Sequence, residues 1–360
     1  MAFWNKKIMN FEDKYLGIDI SDFSVKVFQL EKNGKVDKTR SFGSKNLSAG
    51  CMENGRIINK QKVSETIREI IKKSGPKKIN TNKVICSVSE SKAFLRMISL
   101  PLVSQEEAQE SIKWEIEANI PLSVDEVYFD WQFLNQKKGK QNILAVAVAK
   151  DVINDLAETL DLSGLSIYGI EMESIATARS LIPTRAKINE VHLIVDFGEE
   201  KTSFIITEGN MPYFTSSIPF SSSGVTDTIA KTLNITREKA EKIKMSQGIE
   251  HSFKNDSVFN FIQPLLENLA VEIEKTIDFY QNMSKFTGDI DKIIISGGGA
   301  NLKGLISYFT TRLSREIILG DPWINLKLGK NLPIISKENS MRYATAIGLA
   351  MREIDYENKT

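Results

Sequence analysis

The 360-residue sequence contains few of the residues on which several specific chemistries depend. Cys51 and Cys86 are its only cysteines, too few for a disulfide framework and typical of a reducing cytosol. His192 and His251 are its only histidines, so a histidine-rich metal site is excluded and a Ser-His-Asp triad would need one of them. No Gly-x-x-x-x-Gly-Lys-Ser/Thr segment occurs, which excludes a P-loop NTPase.

Long apolar runs and a strong charge of one sign are also absent. The longest apolar stretch, Ile143 to Ala149, is too short to span a bilayer. The N-terminus, with Phe3, Trp4, Lys6 and Lys7, lacks the apolar segment of a secretory signal. A net charge of +1 gives no electrostatic reason to expect nucleic acid as a partner. We therefore expect a soluble cytoplasmic protein that binds no nucleic acid.

Two segments of similar pattern lie far apart in the chain, Tyr15 to Ser21 and Leu193 to Thr202. Each is an apolar strand that ends on an aspartate, Asp19 or Asp196, and enters a turn of small and polar residues. A second strand, a glycine turn and a third strand follow each of them. The pattern predicts the same three-stranded meander at the start of two halves. Two such turns facing each other would hold a polyphosphate and its cation.

The first turn has residues suited to phosphate and metal, although each also occurs in ordinary hairpins. Asp19 can hold the water shell of Mg²⁺, and Ser21, Ser24 and Lys26 could add hydroxyl donors and a cation. A hairpin with an Asx-type turn is the alternative, because Asp and Ser are common turn residues. In the second turn, Gly198 permits close approach of a ligand to the backbone, or a plain hairpin. The similarity of the two turns favours a ligand site.

A third motif is an apolar strand that runs into Gly297-Gly298-Gly299-Ala300. Glycines let a ligand lie against the backbone, and the N-terminus of a following helix, predicted over Leu302 to Arg315, favours an anion or polar group. A flexible turn is the alternative. The position of this motif after the two aspartate turns favours the ligand interpretation.

The region from Val84 to Lys150 has a different pattern and predicts an inserted α+β subdomain. Ser104-Gln105-Glu106-Glu107 is a capping box, in which the serine and the glutamate satisfy free amides at a helix start. The helix it opens ends before Pro121. The predicted strands are Val84 to Val88, Ala93 to Ile98, Val127 to Leu134 and Ile143 to Val148.

The three motifs, in this order, resemble the two phosphate turns and the adenosine motif of the actin-like ATPase superfamily. Within it, Arg96-Met97-Ile98-Ser99-Leu100-Pro101, Trp114-Glu115-Ile116-Glu117 and Ile120-Pro121 are similar to the PilM family of cytoplasmic type IV pilus assembly proteins. The resemblance covers about Tyr15 to Ala350. It implies an α/β protein of the actin-like ATPase fold, with two RNase H-like lobes and a small inserted α+β subdomain.

The resemblance also implies a division of the chain. The expected parts are an N-terminal tail (1–14), the first part of lobe I (15–83), the inserted subdomain (84–150), a return to lobe I (151–190), lobe II (191–340), and a C-terminal helix packing back on lobe I with a polar tail (341–360).

For ligands, the resemblance implies ATP and Mg²⁺ between the lobes. Asp19 and Asp196 would face the hydrated metal. No catalytic base is assigned, so we expect at most slow hydrolysis. The remaining expected contacts are Ser21, Ser24, Lys26, Gly198, Lys201 and Thr202 with phosphates, Glu241 and Lys244 with the ribose, and Gly297, Gly298, Gly299 and Ala300 with the adenine side.

For partners, the resemblance implies the N-terminal cytoplasmic peptide of a PilN-like inner-membrane protein, bound beside the inserted subdomain. The protein would then lie at the inner face of the cytoplasmic membrane through its partners, which could include the pilus assembly ATPase and platform proteins. Self-association stays open. The alternatives are an FtsA-like polymerising division protein and an ATP-hydrolysing or phosphotransfer enzyme of the same superfamily.

Two positions depart from the family pattern. Ser21 stands where the family usually has glycine in the first turn, and Ser221-Ser222 stand where it usually has paired glycines. Both changes add side chains near the expected ligand. They would either supply hydroxyl donors to phosphate or weaken nucleotide binding, and the sequence leaves both outcomes open.

Overall fold

The structure is a computed structural model that describes residues 15–352 except 34–35, 121, 138, 188–189, 250–257, 284–288 and 328–334. The tails predicted at 1–14 and beyond residue 352 lie outside the described residues, as does His251. The chain divides into two compact units. Unit 1 runs up to Ala176 and resumes at Leu349, and unit 2 is Thr177–Gly348.

Unit 1 is built on a six-stranded sheet of order β11-β7-β1-β2-β3-β6. Its helices are α1 (Lys60–Lys73), α2 (Gln105–Asn119) and α3 (Lys150–Leu162), and α4 (Glu173–Leu181) continues into unit 2. Its strands are β1 (Leu16–Ile20), β2 (Ser24–Asn33), β3 (Val36–Asn46), β4 (Met52–Glu53), β5 (Arg56–Ile57), β6 (Gly75–Pro76), β7 (Lys83–Val88), β8 (Ala93–Pro101), β9 (Val127–Lys137), β10 (Lys140–Ala149) and β11 (Ser166–Met172).

Unit 2 is built on a five-stranded sheet of order β14-β13-β12-β15-β16. Its strands are β12 (Val191–Phe197), β13 (Thr202–Glu208), β14 (Met211–Ile218), β15 (Lys292–Ser296) and β16 (Ile317–Leu319). Its helices are α5 (Ser222–Leu233), α6 (Arg237–Gln247), α7 (Val258–Met283), α8 (Leu305–Leu313), α9 (Lys337–Ser340) and α10 (Ala344–Ala350, which ends in unit 1).

The two sheets share one topology, which confirms the predicted repeat. In each, an antiparallel meander (β1-β2-β3 or β12-β13-β14) is joined through its first strand to two parallel strands, β7 and β11 or β15 and β16. The central parallel strands β7 and β15 are almost entirely buried, as expected for strands covered on both faces, whereas β11 and β16 at the sheet edges are partly exposed. The motifs predicted from the two aspartates thus occupy equivalent places in the two units.

Each sheet is covered on both faces by helices. In unit 1, α1 and α3 pack on one face, where Ile18, Ile67 and Leu160 share a core. In unit 2, α5, α7 and α8 cover one face, and α4 and α10 pack against Ile194 and Ile294 on the other. Each fully buried aliphatic or aromatic side chain contributes roughly 1.5–3 kcal/mol to folding.

The strand Lys83–Val88 differs from its prediction. It was expected to open the inserted subdomain, but it pairs in parallel with β1, with Ile18 opposite Cys86. The inserted sheet has only the order β8-β10-β9, with α2 packed on one face, so it begins at Ala93. A short, mostly apolar strand gives no signal of which sheet it joins, because that depends on a long-range partner.

The boundary between the units also differs from the expected division. It falls inside α4, after Ala176, whereas lobe I was expected to continue to residue 190. Leu181 joins the core of unit 2, and Ala176 joins that of unit 1. The last helix, expected to pack on lobe I, likewise places Ala344 in unit 2 and Leu349 in unit 1.

Helix α7 shows how the long helices of unit 2 are stabilised. Ile262, Leu266, Leu269 and Ile273 are three or four residues apart and form one buried stripe. Pro264 is the seventh residue of this helix and lies beyond its first turn, so its missing N–H removes one hydrogen bond of the helix. Among the helices in the described part of the chain, none has the length and apolarity needed to cross a membrane.

The capping box at the start of α2 is confirmed and gives a stability prediction. The Glu107 amide donates to Ser104 Oγ (3.2 Å), and the Ser104 amide donates to Glu107 Oε2 (2.9 Å). Ser104→Ala should lower the unfolding free energy of the inserted subdomain by about 1 kcal/mol, because it leaves a helix amide unpaired. Hydrogen exchange of the first-turn amides of α2, with urea denaturation, measures this.

Ser111→Ala is the matched control in the same helix. Ser111 donates to the Glu107 carbonyl (2.9 Å) within the helix, and alanine has the higher helix propensity, so stability should be unchanged or slightly increased. Equal losses in the two variants would contradict a capping role for Ser104.

Candidate nucleotide site and family assignment

The first aspartate lies in the most buried strand of unit 1. Asp19 is 5% exposed, and the antiparallel register places it opposite Lys26 on β2. Lys26 Nζ lies 3.1 Å from Asp19 Oδ2, and Ser87 Oγ on β7 donates to Asp19 Oδ1 at 3.0 Å. A buried carboxylate is costly unless it is paired and hydrogen-bonded, so these two partners explain why it is tolerated.

The turn after β1 is closed by its own serines. The Ser21 amide and Ser21 Oγ both donate to the Ser24 carbonyl (2.9 and 3.0 Å), and the Ser24 amide donates back to Ser21 Oγ (3.2 Å). The structure therefore brings Asp19, Ser21, Ser24 and Lys26 together as predicted. However, it commits the Ser21 hydroxyl and the Lys26 ammonium to protein partners.

In unit 2, glycines bring the third motif against the second aspartate. Asp196, the penultimate residue of β12, lies opposite Ser296 of the parallel strand β15. Gly297 has φ +84°, and a Cβ there would lie 2.7 Å from Asp196 Oδ1 and 2.4 Å from the Phe197 carbonyl. A Cβ on Gly299 would lie 2.4 Å from the Phe197 ring. At both positions, the missing Cβ leaves room for atoms of Asp196 and Phe197 rather than for a ligand.

The segment after the glycines differs from its prediction. Gly298–Asn301 form a single 3₁₀ turn, with the Ala300 amide donating to the Gly297 carbonyl (3.2 Å). Helix α8 begins only at Leu305, after Gly304 at φ +82°. The predicted helix N-terminus at the glycines was therefore wrong, because a second left-handed glycine redirects the chain.

A small open pocket in unit 2 brings three separate predicted residues together. It is shallow and open to solvent, with room in its interior for about one water molecule. Lys244, Gly298 and Gly299 were predicted on the ribose and adenine sides, and all three line it. The other lining residues are Phe197, Ser222, Val225, Met245 and Leu302. Four of these five are apolar, and no sequence motif indicated that these four would lie at a ligand.

Lys244 is held by a dense set of oxygen acceptors. It is 4% exposed, and its Nζ contacts Ser222 O (3.1 Å), Ser222 Oγ (2.8 Å), Thr226 Oγ1 (2.8 Å) and Glu241 Oε2 (2.8 Å). Ser222, which departs from the family glycines, thus orients this lysine. Glu241 also accepts a hydrogen bond from Thr226 (2.5 Å).

These contacts set the pKa of Glu241. Partial burial acts to raise that pKa, but the hydrogen bonds from Lys244 and Thr226 outweigh burial and lower it below its ordinary value. Glu241 is therefore a carboxylate at neutral pH, and it forms an ion pair with Lys244, which is one of the residues that line the pocket.

The second aspartate turn is also largely closed. The Gly198 amide donates to the Lys201 carbonyl (3.0 Å), and a Cβ on Gly198 would lie 2.7 Å from that oxygen. Thr202 is fully buried and its hydroxyl donates to the Phe220 carbonyl (2.8 Å), which does not agree with its expected phosphate contact. Glu199, which the sequence reasoning passed over, accepts from the Ser223 hydroxyl at 3.0 Å.

The two expected metal ligands lie in different units, Asp19 in unit 1 and Asp196 in unit 2. Within the described ranges there is no group of three or more His, Cys, Asp or Glu that could hold a metal ion. Asp19 does not fit a metal role as placed, because an ammonium group lies 3.1 Å from one of its oxygens.

Comparison with known protein families shows to which family the chain belongs. The family model described as type IV pilus assembly protein PilM matches residues 17–354. The chain belongs to the PilM family. This confirms the resemblance drawn from the Trp114 segment and the three motifs.

More distant relatives include the cell division protein FtsA of Staphylococcus epidermidis. The two chains are 22% identical over 199 residues, which cover 49% of this chain and 41% of FtsA. The match therefore spans less than half of that relative's length.

Solved structures confirm the predicted actin-like ATPase fold. A chain of the PilM–PilN type IV pilus biogenesis complex matches with a TM-score of 0.80 and 22% identity, over 94% of this chain and 98% of that chain. MreB5 of Spiroplasma citri bound to ADP matches with a TM-score of 0.56 and 14% identity, over 97% and 98%.

The lowered pKa of Glu241 predicts a pH-dependent contribution to stability. With the folded pKa below the ordinary value of 4.5, the stabilisation is fully present above that value and is lost as pH falls through the folded pKa. Glu241→Gln should therefore lower Tm at pH 7, and its difference from wild type should shrink below about pH 4.5.

Glu238→Gln is the matched control, since Glu238 lies on the same helix and its side chain is 80% exposed. Its Tm difference should be small at every pH. A Glu241→Gln difference that stays constant down to acid unfolding would contradict the role given to Lys244 and Thr226.

Proposed function

We propose that this chain is a scaffold of the type IV pilus inner-membrane assembly platform and docks the N-terminal cytoplasmic segment of a PilN-like membrane protein. The proposal is carried by membership of the PilM family. It is supported by the likeness to a chain of a PilM–PilN complex over 94% of this chain. It places the protein at the inner face of the cytoplasmic membrane through its partners.

The inserted subdomain offers a surface suited to such a segment. Trp114 on α2 is 71% exposed, and Leu102, just before the helix, is 57% exposed. Exposed tryptophans at interfaces supply apolar contact and can hold a cation over the ring. The same helix carries five glutamates and one lysine, so a basic segment with apolar residues is the complementary partner. The glutamates are Glu106, Glu107, Glu110, Glu115 and Glu117.

Trp114→Ala tests this surface. The variant should bind the N-terminal peptide of the PilN-like protein at least about tenfold more weakly, as expected for loss of a central aromatic contact. Its thermal stability should be nearly unchanged, because the side chain is mostly exposed. Fluorescence anisotropy of a labelled peptide with the full chain measures the affinity.

Ile324→Ala, at a 47% exposed position in unit 2, is the matched control and should bind the peptide like wild type. Undiminished binding by Trp114→Ala would exclude this surface. A wild-type chain that binds no such peptide, with or without nucleotide, would overturn the proposed function.

We further propose that the chain binds an adenine nucleotide, with ATP the expected form, and that the nucleotide acts as a conformational ligand that biases partner affinity. The unit 2 pocket supports the nucleoside end of this proposal. Gly298, which is partly exposed, lines this pocket with the Phe197 ring, and the half-exposed Glu241 carboxylate, paired with the lining residue Lys244, can accept a hydrogen bond from a ribose hydroxyl. The likeness to MreB5 bound to ADP supports it through the fold.

Gly298→Leu is designed to fill this pocket without disturbing the fold. A Cβ on Gly298 meets only Arg342 Cγ, at 3.9 Å, and the residue lacks a positive φ. We expect nucleotide affinity to fall at least about tenfold, by occlusion of the pocket, while Tm stays within a few degrees of wild type. Isothermal titration calorimetry with ADP and ATP measures this.

Gly75→Ala is the control, since a Cβ there has no neighbour within 4 Å and the residue belongs to unit 1, outside the pocket. Equal nucleotide affinities in wild type, Gly75→Ala and Gly298→Leu would exclude the unit 2 pocket as the nucleoside site.

A further inference from the structure

Two segments of unit 1 carry a concentration of positive charge that the chain as a whole lacks. Residues 32–40 and 70–83 contain nine lysines and arginines and one acidic residue, whereas the 360 residues together contain 47 basic and 46 acidic ones. The acidic residue, Asp37, is buried at 8% exposure. The excess of basic residues is therefore local and belongs to a small part of the chain.

The fold brings these two segments side by side. Strand β3 pairs with β6, with Ser41 opposite Pro76. The Lys77 amide donates to the Arg40 carbonyl (3.1 Å), and Arg40 Nε donates to the Lys78 carbonyl (3.3 Å). We call the resulting surface the basic edge, and its described members are Lys38, Arg40, Lys72, Lys73, Lys77 and Lys78.

Glu31 neutralises part of this charge. Its carboxylate lies 2.7 Å from an Arg40 nitrogen and 2.5 Å from Lys77 Nζ. The hydrogen bond from Lys77, together with the one from Arg40, lowers the pKa of Glu31 although partial burial acts to raise it. Glu31 is therefore ionised at neutral pH, and one carboxylate serves two cations.

Three lysines of the basic edge have no such partner. Lys38, Lys72 and Lys78 are exposed, and within the described part of the chain their side chains form no hydrogen bond or ion pair. Lys72, like Lys73, lies in the last turn of α1, where a cation interacts favourably with the helix dipole. This structural role does not apply to Lys38 and Lys78, which lie on a strand and in a loop.

The basic edge lies away from the inserted subdomain. The parallel strands β1 and β7 begin at one end of the sheet, where Leu16 is opposite Val84, and the long β2–β3 hairpin extends past β1 at that end. Residues 77–82 lead into β7 at the same end. The chain enters the inserted subdomain after Val88, at the opposite end of β7. The basic edge and the Trp114 surface therefore belong to different parts of unit 1.

The composition of the basic edge favours a diffuse anionic surface as its partner. Five of its six members are lysines, which are flexible, hydrated point charges. Its one arginine, the residue type suited to a phosphate in fixed geometry, is engaged by Glu31 and by the Lys78 carbonyl. Lysines gathered at one end of a sheet suit a fluid layer of anionic headgroups, which requires no fixed geometry.

We infer that the basic edge contacts the anionic phospholipids of the cytoplasmic leaflet directly, in addition to the docking of a membrane protein's segment. This inference takes the location of the chain beside that leaflet from the proposed function. The negative surface potential of the leaflet attracts each nearby lysine enough to raise membrane partitioning about fivefold. Because a docked segment holds the chain close to the membrane, even a weak contact of this kind orients unit 1 there.

Flotation of the full chain with lipid vesicles, without any partner, tests the inference. The vesicles contain phosphatidylcholine alone, or phosphatidylcholine mixed with phosphatidylglycerol or phosphatidylserine at equal charge. Each mixture is measured at low and at high salt. The two anionic lipids share a negative charge and differ in headgroup, so equal binding to both indicates an electrostatic contact with the surface.

The test variant combines Lys38→Gln, Lys72→Gln and Lys78→Gln. These side chains bond no other residue within the described ranges, so Tm should stay close to that of wild type. The matched control changes the net charge equally at three exposed lysines outside the basic edge. Its substitutions are Lys140→Gln, Lys231→Gln and Lys239→Gln.

Wild type should partition onto vesicles with either anionic lipid at least about tenfold more strongly than onto phosphatidylcholine alone. High salt should remove most of this difference, because screening shortens the range of the attraction. The test variant should lose at least about tenfold in partitioning at low salt, since three lysines near the surface are removed. The control variant should stay within about threefold of wild type.

Equal partitioning of wild type onto neutral and anionic vesicles would overturn the inference, as would no partitioning or equal losses in the two variants. A short DNA duplex that binds wild type through these lysines, when the vesicles do not, would also overturn it. Anisotropy with the partner peptide separates the two proposals. Peptide binding without vesicle binding rejects the membrane contact alone, and vesicle binding without peptide binding rejects the docking alone.

Discussion

Parallel pairing of the first meander strand with a strand from later in the chain is the constraint on which the rest of each unit depends. In unit 1 it sets Ser87 beside Asp19, where the serine hydroxyl bonds the carboxylate. In unit 2 the equivalent register sets Ser296 beside Asp196. A strand buried on both faces admits a carboxylate only with such partners, since an unpaired buried charge costs several kcal/mol. In unit 1, the position of Asp19 and the pairing of its sheet are thus one requirement, whereas Asp196 in unit 2 is only partly buried.

The two units build their aspartate turns with different local chemistry. Unit 1 closes its turn with side chains, through Ser21, Asp22 and Lys26, and braces it with the hairpin at Gly55. Unit 2 uses glycines, and Gly297 lets the backbone of the third motif lie against Asp196 and Phe197. The hydroxyl of Ser296, fully buried, has no hydrogen-bond partner among the described residues, whereas that of Ser87 is bonded.

This difference between the two units agrees with a protein whose function is to dock a partner. A scaffold needs a stable frame, an exposed surface for its partner and at most one ligand that biases its conformation. In the proposed docking, the inserted subdomain supplies the surface, because Trp114 is exposed whereas Ile112 and Ile116 of the same helix are buried. The core sheets supply the frame.

The sequence by itself determined the repeated meander, the capped helix α2 and the family, because these depend on local periodicity, turn chemistry and short motifs. The order of the motifs was enough to indicate the actin-like fold before any contact was known. Tertiary structure decided what each polar side chain does. Lys244 was expected to contact the ribose of a bound nucleotide. In the structure its ammonium group is bound to Ser222, Thr226 and Glu241, which lie on two different helices. Thr202 is buried and its hydroxyl donates to the Phe220 carbonyl. Strand β7 joins the sheet of unit 1. These outcomes depend on register and burial between residues far apart in the chain, and a residue's type does not say which of its hydrogen-bonding groups a distant partner will take.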